Sequence, residues 1–360
     1  MILVQILVSL ALASAVLALF FCVKAEPLGQ WLGLVDKPDG QRKLHQGHVP
    51  LIGGFPVVSA VLLSGATMTI FYWHDEAAFA YSLCWFLIAV AGFFLIGLVD
   101  DHHELSAKRR LILFFSFLLL ILSAEKSFIL QHLVFSNGYV LELQNFGVLF
   151  TLICIAGLVN AVNMADGKNG LVIGLAIIWL VLLGLHASFY LWPIIIAMIV
   201  ALVITFHFNM RGRLFLGDGG SYTLSAAIAF LTIYIYNQFP VNLPADQVAL
   251  MFAFPVMDAL RLIIQRVRNG VSPFAGDRNH LHHYLWVAVG WPVGLWVYLL
   301  LVLGFVALGQ WFHDDMLWVA GGAVVVYMMI IGVFSRFLKD KQEAQAGVIS
   351  GFGANSRNAE

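Results

Sequence analysis

The chain has 360 residues, of which 61% are hydrophobic and only 11% are Asp, Glu, Lys or Arg. A soluble protein carries about a quarter charged residues, so this composition excludes an ordinary soluble domain. The formal net charge of −1 gives no indication of a nucleic-acid partner, and we expect none. The three cysteines, Cys22, Cys84 and Cys154, lie within apolar runs, which indicates neither a disulfide framework nor a thiolate metal site.

Apolar runs of roughly twenty residues recur along the chain, and such a run can cross about 30 Å of hydrocarbon as a helix. Eleven runs are candidates, at about residues 2–23, 49–71, 79–99, 110–124, 146–163, 170–186, 189–207, 221–238, 247–265, 289–309 and 317–335. The sequence therefore predicts an all-α polytopic membrane protein with about 10 or 11 transmembrane helices. We expect one integral membrane domain over residues 1–337 and a mobile polar tail over residues 338–360.

Basic residues are distributed unequally between the two sides of the predicted membrane. Alternating spans put on one side the C-terminal tail and the loops 24–48, 100–109, 164–169, 208–220 and 266–288. All but one of the 19 Lys and Arg residues lie on or near that side, and the exception is Lys126. By the positive-inside rule these loops are cytoplasmic and the N-terminus is external. The first run has no basic region before it, so we expect a span and not a removable signal.

One external segment has a pattern of its own. Residues 128–143 place β-forming side chains on both sides of Asn137-Gly138. This dipeptide suits a tight hairpin turn. The segment therefore predicts a small external β-hairpin without a chemical role.

Two adjacent carboxylates, Asp100 and Asp101, directly follow the third apolar run, and the basic residues Lys108, Arg109 and Arg110 come shortly afterwards. Adjacent acids repel each other, and a divalent cation or a cationic partner would offset that repulsion. The alternative is a charged loop that only keeps the helix end out of the lipid. The remaining polar loops favour the first interpretation.

The loop at the end of the fifth run combines amides, a carboxylate and glycines. Its polar side chains are Asn160, Asn163, Asp166 and Asn169. Carboxylate and amide oxygens are hard ligands of the kind that Mg²⁺ binds. The alternative is a helix end whose side chains only cap the backbone.

A second glycine-rich segment, residues 215–221, places Asp218 at the entry to the eighth run. A glycine-rich turn that opens a helix can direct its backbone N–H groups at a diphosphate. Asn209, Arg211 and Arg213 come just before it. The segment is thus a candidate for binding both a metal and an anion.

Two further loops supply cationic side chains. The first loop carries Lys37, Arg42, Lys43, His45 and His48, and the last carries Arg278, His280, His282 and His283. Such donors suit a phosphate-bearing ligand. The alternatives are anchoring to anionic lipid head groups for the first loop and a zinc site for the last.

Asp258 and Arg261 are three residues apart within the ninth run, which predicts an intrahelical ion pair.

All five polar segments are predicted to lie on one face of the membrane. Together they provide oxygen ligands for a divalent cation and basic groups for phosphate. These parts suit phosphoryl transfer, in which positioning and charge neutralisation do most of the catalysis. We therefore expect a cytoplasmic active site at the membrane surface.

These segments resemble the polyprenyl-phosphate N-acetylhexosamine-1-phosphate transferase family. The matching parts are the loop from Val35 to Gly54, Asp100-Asp101, and residues 160–171, 217–221 and 277–283. The His-Leu-His-His form of the last part is similar to the branch that transfers GlcNAc-1-phosphate to undecaprenyl phosphate at the start of O-antigen and common-antigen synthesis. At Asn169 many bacterial members carry Asp, whereas dolichol-linked members carry Asn as this chain does.

The resemblance implies that UDP-GlcNAc and undecaprenyl phosphate give GlcNAc-diphosphoryl-undecaprenol and UMP at a bacterial inner membrane. It implies Mg²⁺ as cofactor, with Mn²⁺ as a substitute. It further implies catalytic roles for Asp100, Asp101 and Asp166, and metal ligation by Asp218, Asn163 and Asp100. The implied substrate-binding residues are Lys43, His45, Lys108, Arg110, Asn160, Asn169, Asn209, Arg278, His280, His282 and His283. The oligomeric state stays open, with a homodimer as one option.

Three other functions compete with this interpretation. The first is a phospho-MurNAc-pentapeptide transferase or another UDP-N-acetylhexosamine-1-phosphate transferase of the same family. The second is a membrane prenyltransferase, which would need a second Asp-rich loop where this chain offers only Asp166 among asparagines. The third is a transporter, which would place ionisable groups near the midplane, where only Asp258 and Arg261 come close.

Overall fold

The computed structural model describes residues 1–36, 47–273 and 279–355, with side chains described up to residue 335. Within these ranges the chain forms 13 α-helices: α1 Ile2–Val23, α2 Ala25–Leu32, α3 Gly54–Tyr72, α4 Ala77–His103, α5 Ala107–Ala124, α6 Gly147–Ala165, α7 Leu171–His186, α8 Trp192–Met210, α9 Gly217–Gln238, α10 Ala245–Arg268, α11 Leu281–Val289, α12 Val293–Trp311 and α13 Met316–Asn355. The predicted all-α polytopic class is confirmed. The mobility of the tail stays a prediction.

Each of the eleven predicted spans coincides with one of these helices. In the described part of the chain, nine helical segments are long and apolar enough to cross a membrane. The two remaining spans are α7, which has only 16 residues, and α5, which has three basic residues in its first turn. Two short helices between spans, α2 and α11, were not predicted.

Four short strands in the described residues form two antiparallel pairs. The predicted hairpin is confirmed: β3 (His132–Val134) pairs with β4 (Val140–Glu142), and Gly138 in the turn has a φ of 80°. A second pair, β1 (Val35–Asp36) with β2 (Val49–Pro50), was not predicted. It joins the two ends of the first polar loop, so it brings the chain back to the start of α3.

The polar loops meet at one end of the bundle, which we call the site end. Here α4, α6, α8 and α10 finish, and α5, α7 and α9 begin. The hairpin lies at the opposite end, between the finish of α5 and the start of α6. The spatial separation of the loops into two groups therefore agrees with the alternation deduced from the sequence.

Helix α9 lies at the centre of the bundle, and almost every side chain from Gly219 to Tyr236 is buried. It packs against α3, α4, α6 and α7. Its hydroxyl groups donate to carbonyl oxygens one turn back, as Thr223 does to Gly219 (2.5 Å) and Thr232 to Ile228 (2.7 Å). Such internal pairing is needed where no water can reach the group. Because its side chains are small and their hydroxyl groups are hydrogen-bonded within the helix, this partly polar helix can lie in the core.

Glycine contacts set how closely α9 approaches its neighbours. A Cβ atom placed on Gly97 of α4 would lie 2.5 Å from the Asp218 carbonyl oxygen and 2.5 Å from the Gly219 Cα. A Cβ on Gly54 of α3 would lie 2.7 Å from Gly220 backbone atoms. These are backbone contacts that no side-chain rotation can relieve. The first turn of α9 therefore has its position because its neighbours lack side chains there.

Substitution of Gly97 tests this packing. We expect Gly97→Ala to lower the thermal midpoint of the purified protein by several degrees, because forced overpacking costs about 1–3 kcal/mol. The matched control is Gly157→Ala in α6, where an added Cβ meets nothing within 4 Å. Thermal unfolding in detergent, followed by tryptophan fluorescence, measures both. Equal midpoints for the two variants would contradict the close approach of α4 and α9.

Candidate active site

Asp100 is buried at the end of α4 and is held by three partners. Its Oδ1 atom accepts the Leu105 N–H (2.8 Å), and its Oδ2 atom accepts the Tyr222 hydroxyl (2.6 Å). The Nε atom of Arg110 lies 3.0 Å from the same Oδ2. The local chain makes this possible: Glu104 ends α4 with a φ of 45°, and Ser106 caps α5. The turn thereby returns Arg110 to the carboxylate that precedes it.

Asp101 faces a different helix. Its two carboxylate oxygens accept the backbone N–H groups of Asp218 and Gly219, each at 2.8 Å. The partially positive start of α9 is thus capped by a carboxylate from α4. The two N–H groups that the sequence suggested for a diphosphate are directed at Asp101 instead, because a carboxylate of the protein already occupies the helix start.

Asn163 links Asp218 to the hydroxyl groups that follow it. Its amide nitrogen donates to the Asp218 carboxylate and lies 3.5 Å from the Tyr222 hydroxyl, while its oxygen accepts from Ser221 (2.9 Å). The oxygen already has a partner on the protein. The geometry therefore favours Asn163 as a support for Asp218 over its predicted role as a metal ligand.

Asp166 follows the end of α6. With Asp100, Asp101 and Asp218 it forms a cluster of carboxylates that we call the acidic group. Burial and the negative charge of Asp218 raise the pKa of the Asp166 carboxyl to about 7. In the described residues, no three His, Cys, Asp or Glu side chains form a complete metal site. A Mg²⁺ site does not require three such side chains, because one or two carboxylates together with substrate phosphates and water are enough. Asp218 and Asp166 therefore fit Mg²⁺ by their donor chemistry and their mutual repulsion.

The loop after α6 joins the acidic group to the histidines. A Cβ on Gly167 would lie 2.4 Å from the His282 Nε2 atom, so only glycine permits this approach. The Lys168 ammonium lies over the Trp286 ring of α11, 3.2 Å from its centroid. The Trp291 indole N–H donates to the Asn169 carbonyl (3.0 Å). Asp166 thus directly precedes the glycine that lies against His282.

The histidines are organised around Asp258 of α10. Its carboxylate accepts from His280 Nδ1 (2.9 Å) and pairs with Arg261 (3.0 Å), which confirms the predicted ion pair and adds a partner to it. His280 and His282 stack with ring centroids 5.2 Å apart and planes 11° apart, so their nitrogens do not converge as zinc ligands would. Burial, together with His283 and His280, lowers the pKa of His282 well below its ordinary value.

The other predicted binding residues have varied positions. Asn209 is buried and uses both ends of its amide, accepting from the Gly170 N–H (2.6 Å) and donating to the Leu214 carbonyl (3.0 Å), so the geometry favours a structural role. Asn160 donates to the Ala156 carbonyl within its own helix (2.7 Å). Lys108 is exposed at the start of α5. Lys43, His45 and Arg278 lie outside the described residues, and their roles stay predictions.

Two site residues were missed by the sequence interpretation. Tyr222 contacts Asp100, and Tyr327 of α13 donates to Asp258 (2.8 Å). Tyr222 directly follows the glycine-rich segment, which is a usable signal. No sequence feature indicated Tyr327, because its partner Asp258 lies on α10, far away in sequence.

Hydrogen bonds, ring contacts and the repulsion between Asp218 and Asp166 connect these residues in one series. It runs from Arg110 and Asp100 through Tyr222 and Asn163 to Asp218, and then by Asp166 and Gly167 to His282, His280 and Asp258. The acids and the imidazoles therefore belong to one region at the site end. Such an arrangement can hold a divalent cation beside a phosphate-bearing ligand.

Known proteins resemble this chain over the same region. The glycosyl transferase family 4 pattern matches residues 83–236. The undecaprenyl-phosphate alpha-N-acetylglucosaminyl 1-phosphate transferase of Yersinia pestis is 31% identical over 272 residues, which cover 71% of this chain and 70% of the relative. The protein of that name from Escherichia coli K12 is 27% identical, covering 75% of this chain and 72% of the relative. A probable undecaprenyl-phosphate N-acetylglucosaminyl 1-phosphate transferase of Bacillus subtilis is 28% identical, covering 76% and 75%.

Proposed function

The chain belongs to the polyprenyl-phosphate N-acetylhexosamine-1-phosphate transferases of glycosyl transferase family 4, and from this premise we propose a specific reaction for it. It transfers N-acetylglucosamine 1-phosphate from UDP-N-acetylglucosamine to undecaprenyl phosphate. The products are N-acetylglucosaminyl-diphosphoryl-undecaprenol and UMP. The names of the relatives support this choice of sugar and lipid.

The observation that carries the proposal is the continuity between the acidic group and the histidines. Asp218 repels the half-buried Asp166, and Gly167 next to it touches His282. A nucleotide diphosphate sugar needs cation binding and anion binding within the length of one diphosphate. Here the acid Asp166 is followed directly by the glycine that lies against His282.

In the proposed reaction, an oxygen of the lipid phosphate attacks the phosphorus that bears the sugar. The bond from this phosphorus to the bridging oxygen of UMP breaks, and UMP leaves with the electron pair. The glycosidic bond is untouched. The lipid phosphate has a second pKa of about 6, so most of it is already a dianion and no general base is required.

We assign roles to the residues from their contacts. Asp218 and Asp166 would hold Mg²⁺, which when bound supplies neutralisation of the diphosphate and of the departing UMP. Asn163 orients Asp218, and Asp101 fixes the helix turn that carries it. Asp100 holds the guanidinium of Arg110 close enough to Asp218 to act on its charge. His280 and His282 would contact the diphosphate or the sugar.

The proposed setting is the inner membrane of a bacterium, with the site end in the cytoplasm. The unequal distribution of Lys and Arg supports this orientation. UDP-sugars are made in the cytoplasm and are too polar to cross lipid. The reaction would then be the first membrane step in the synthesis of a cell-surface polysaccharide.

An assay with purified protein, undecaprenyl phosphate and a panel of UDP-sugars tests the proposal. We expect Mg²⁺-dependent UMP release with UDP-N-acetylglucosamine and a lipid product that carries the intact sugar 1-phosphate. In membrane vesicles, added UDP-N-acetylglucosamine should react in everted vesicles and not in sealed right-side-out ones. A preference for UDP-MurNAc-pentapeptide would contradict the proposed donor, and the opposite vesicle result would contradict the orientation.

A further inference from the structure

Asp258 accepts hydrogen bonds from four different groups. His280 Nδ1 lies 2.9 Å from Oδ2, and the Tyr327 hydroxyl (2.8 Å) and Arg261 Nη2 (3.0 Å) contact Oδ1. The Leu281 N–H lies 3.2 Å from both oxygens. Asp258 as a whole residue is 4% exposed, and its carboxylate bonds to groups on three helices. So many donors on one buried acid are more than an intrahelical ion pair requires.

Resting on the proposed function, we infer that Asp258 is a positioning residue that acts through His280. By accepting from Nδ1, it fixes the orientation of the ring and leaves Nε2, on the other side of the ring, as the nitrogen that faces the substrate. Nδ1 is thereby engaged with Asp258, and Nε2 is the ring nitrogen left to form a hydrogen bond with the nucleotide sugar.

The neighbouring imidazole, His282, differs from His280 in its partners. His280 stacks on His282, with ring centroids 5.2 Å apart and ring planes 11° apart. Only His280 has the carboxylate. His282 is 1% exposed and lies against Gly167. His280 is therefore the ring of this pair whose orientation the Asp258 carboxylate fixes.

The support of Asp258 comes partly from the last helix. The Tyr327 hydroxyl of α13 donates to Asp258 and accepts from Arg261 Nε (2.7 Å). Arg261 in turn donates to the Asn279 carbonyl, next to His280. The histidine segment is thus tied to α10 and α13 at one point.

An amide cannot replace this carboxylate, because every partner of Asp258 is a donor. Asn at this position must turn its NH₂ group either toward His280 or toward Tyr327 and Arg261. In the first orientation His280 loses the proton on Nδ1, and in the second the Arg261 charge is left without its acceptor. Glu keeps an acceptor, so Asp258→Glu should recover part of the function.

The test is a double-mutant cycle between Asp258→Asn and His280→Ala, measured as UMP release with the preferred UDP-sugar. We expect Asp258→Asn to lower kcat at least about tenfold, as loss of a carboxylate that orients a functional histidine does elsewhere. In the His280→Ala background the same substitution should change kcat less than about twofold, since the residue acts through the ring. Glu125→Gln, at a buried carboxylate of the opposite end, is the control that should leave kcat unchanged.

A second measurement needs no turnover. In protein labelled with ¹⁵N-histidine, the His280 signals, assigned by their loss in His280→Ala, should show a protonated Nδ1 in the parent and a changed pattern in Asp258→Asn. Additive losses in the cycle, or unchanged His280 signals in Asp258→Asn, would overturn the inference. If the parent protein showed no UMP release but its His280 signals changed in Asp258→Asn, the proposed function would be contradicted. The positioning of His280 by Asp258 would still be supported.

Discussion

Asp218→Asn should abolish Mg²⁺-dependent UMP release, with kcat reduced by at least about 10³-fold while the protein still folds. A metal that neutralises transferring phosphate contributes several kcal/mol, and each 1.36 kcal/mol or so is tenfold in rate. Asp218 is the acid that Asn163 orients and that repels Asp166. Replacing it removes a charged ligand and keeps the shape of the side chain.

The matched control is Asp246→Asn. Asp246 also stands in the first turn of a spanning helix, but at the opposite end of the bundle, where it accepts from Ser136 of the hairpin turn (2.8 Å). Its amide variant should retain activity. Steady-state kinetics across an Mg²⁺ titration, together with Mn²⁺ binding followed by electron paramagnetic resonance, measure the effect. Normal kcat and normal Mn²⁺ binding in Asp218→Asn would remove the metal-site argument.

Asp101→Asn should lower activity by at least about 100-fold, for a different reason. Both oxygens of Asp101 accept N–H groups of α9, and an amide can accept only one of them. Leaving a buried N–H unsatisfied costs about 1–3 kcal/mol, and the favourable contact of a negative charge with the helix start is also lost. The first turn of α9 should shift and carry Asp218 with it.

This mechanism predicts a distinct set of measurements. Because Asp101 acts through the position of Asp218, the variant should unfold at a lower temperature and need more Mg²⁺ for half-maximal rate. Glu104→Gln is the control, since Glu104 is an exposed acid at the end of the same helix. Complete loss of activity with unchanged thermal stability and Mg²⁺ dependence would indicate that Asp101 takes part directly in the chemistry. Unchanged activity would refute the capping role.

The two adjacent acids illustrate how one motif divides into two functions. Successive residues on an α-helix point about 100° apart, so Asp100 and Asp101 cannot share one partner. Asp100 faces Tyr222 and Arg110, whereas Asp101 faces the start of α9. Neither carboxylate has its whole binding capacity free for a metal. In the proposed reaction, catalysis would therefore depend on acids that hold the structure as well as on acids that contact the ligand.

The sequence by itself determined the spanning helices, the hairpin and the grouping of polar loops at one end. Long apolar runs must be helical in lipid, because every backbone group needs an internal partner there. Asn137-Gly138 determined the turn for an equally local reason. Alternation of spans then brings loops that are far apart in sequence to the same end, whatever the details of packing.

Only the tertiary structure decided which polar groups meet. Asp101 caps a helix that begins more than a hundred residues later, Asn209 hydrogen-bonds to two loops, and Tyr327 donates to Asp258 from the last helix. Hydropathy and turn propensity are properties of short segments, whereas these partners depend on how each helix is rotated and how closely its glycines let it approach. A sequence pattern carries the first kind of information and not the second.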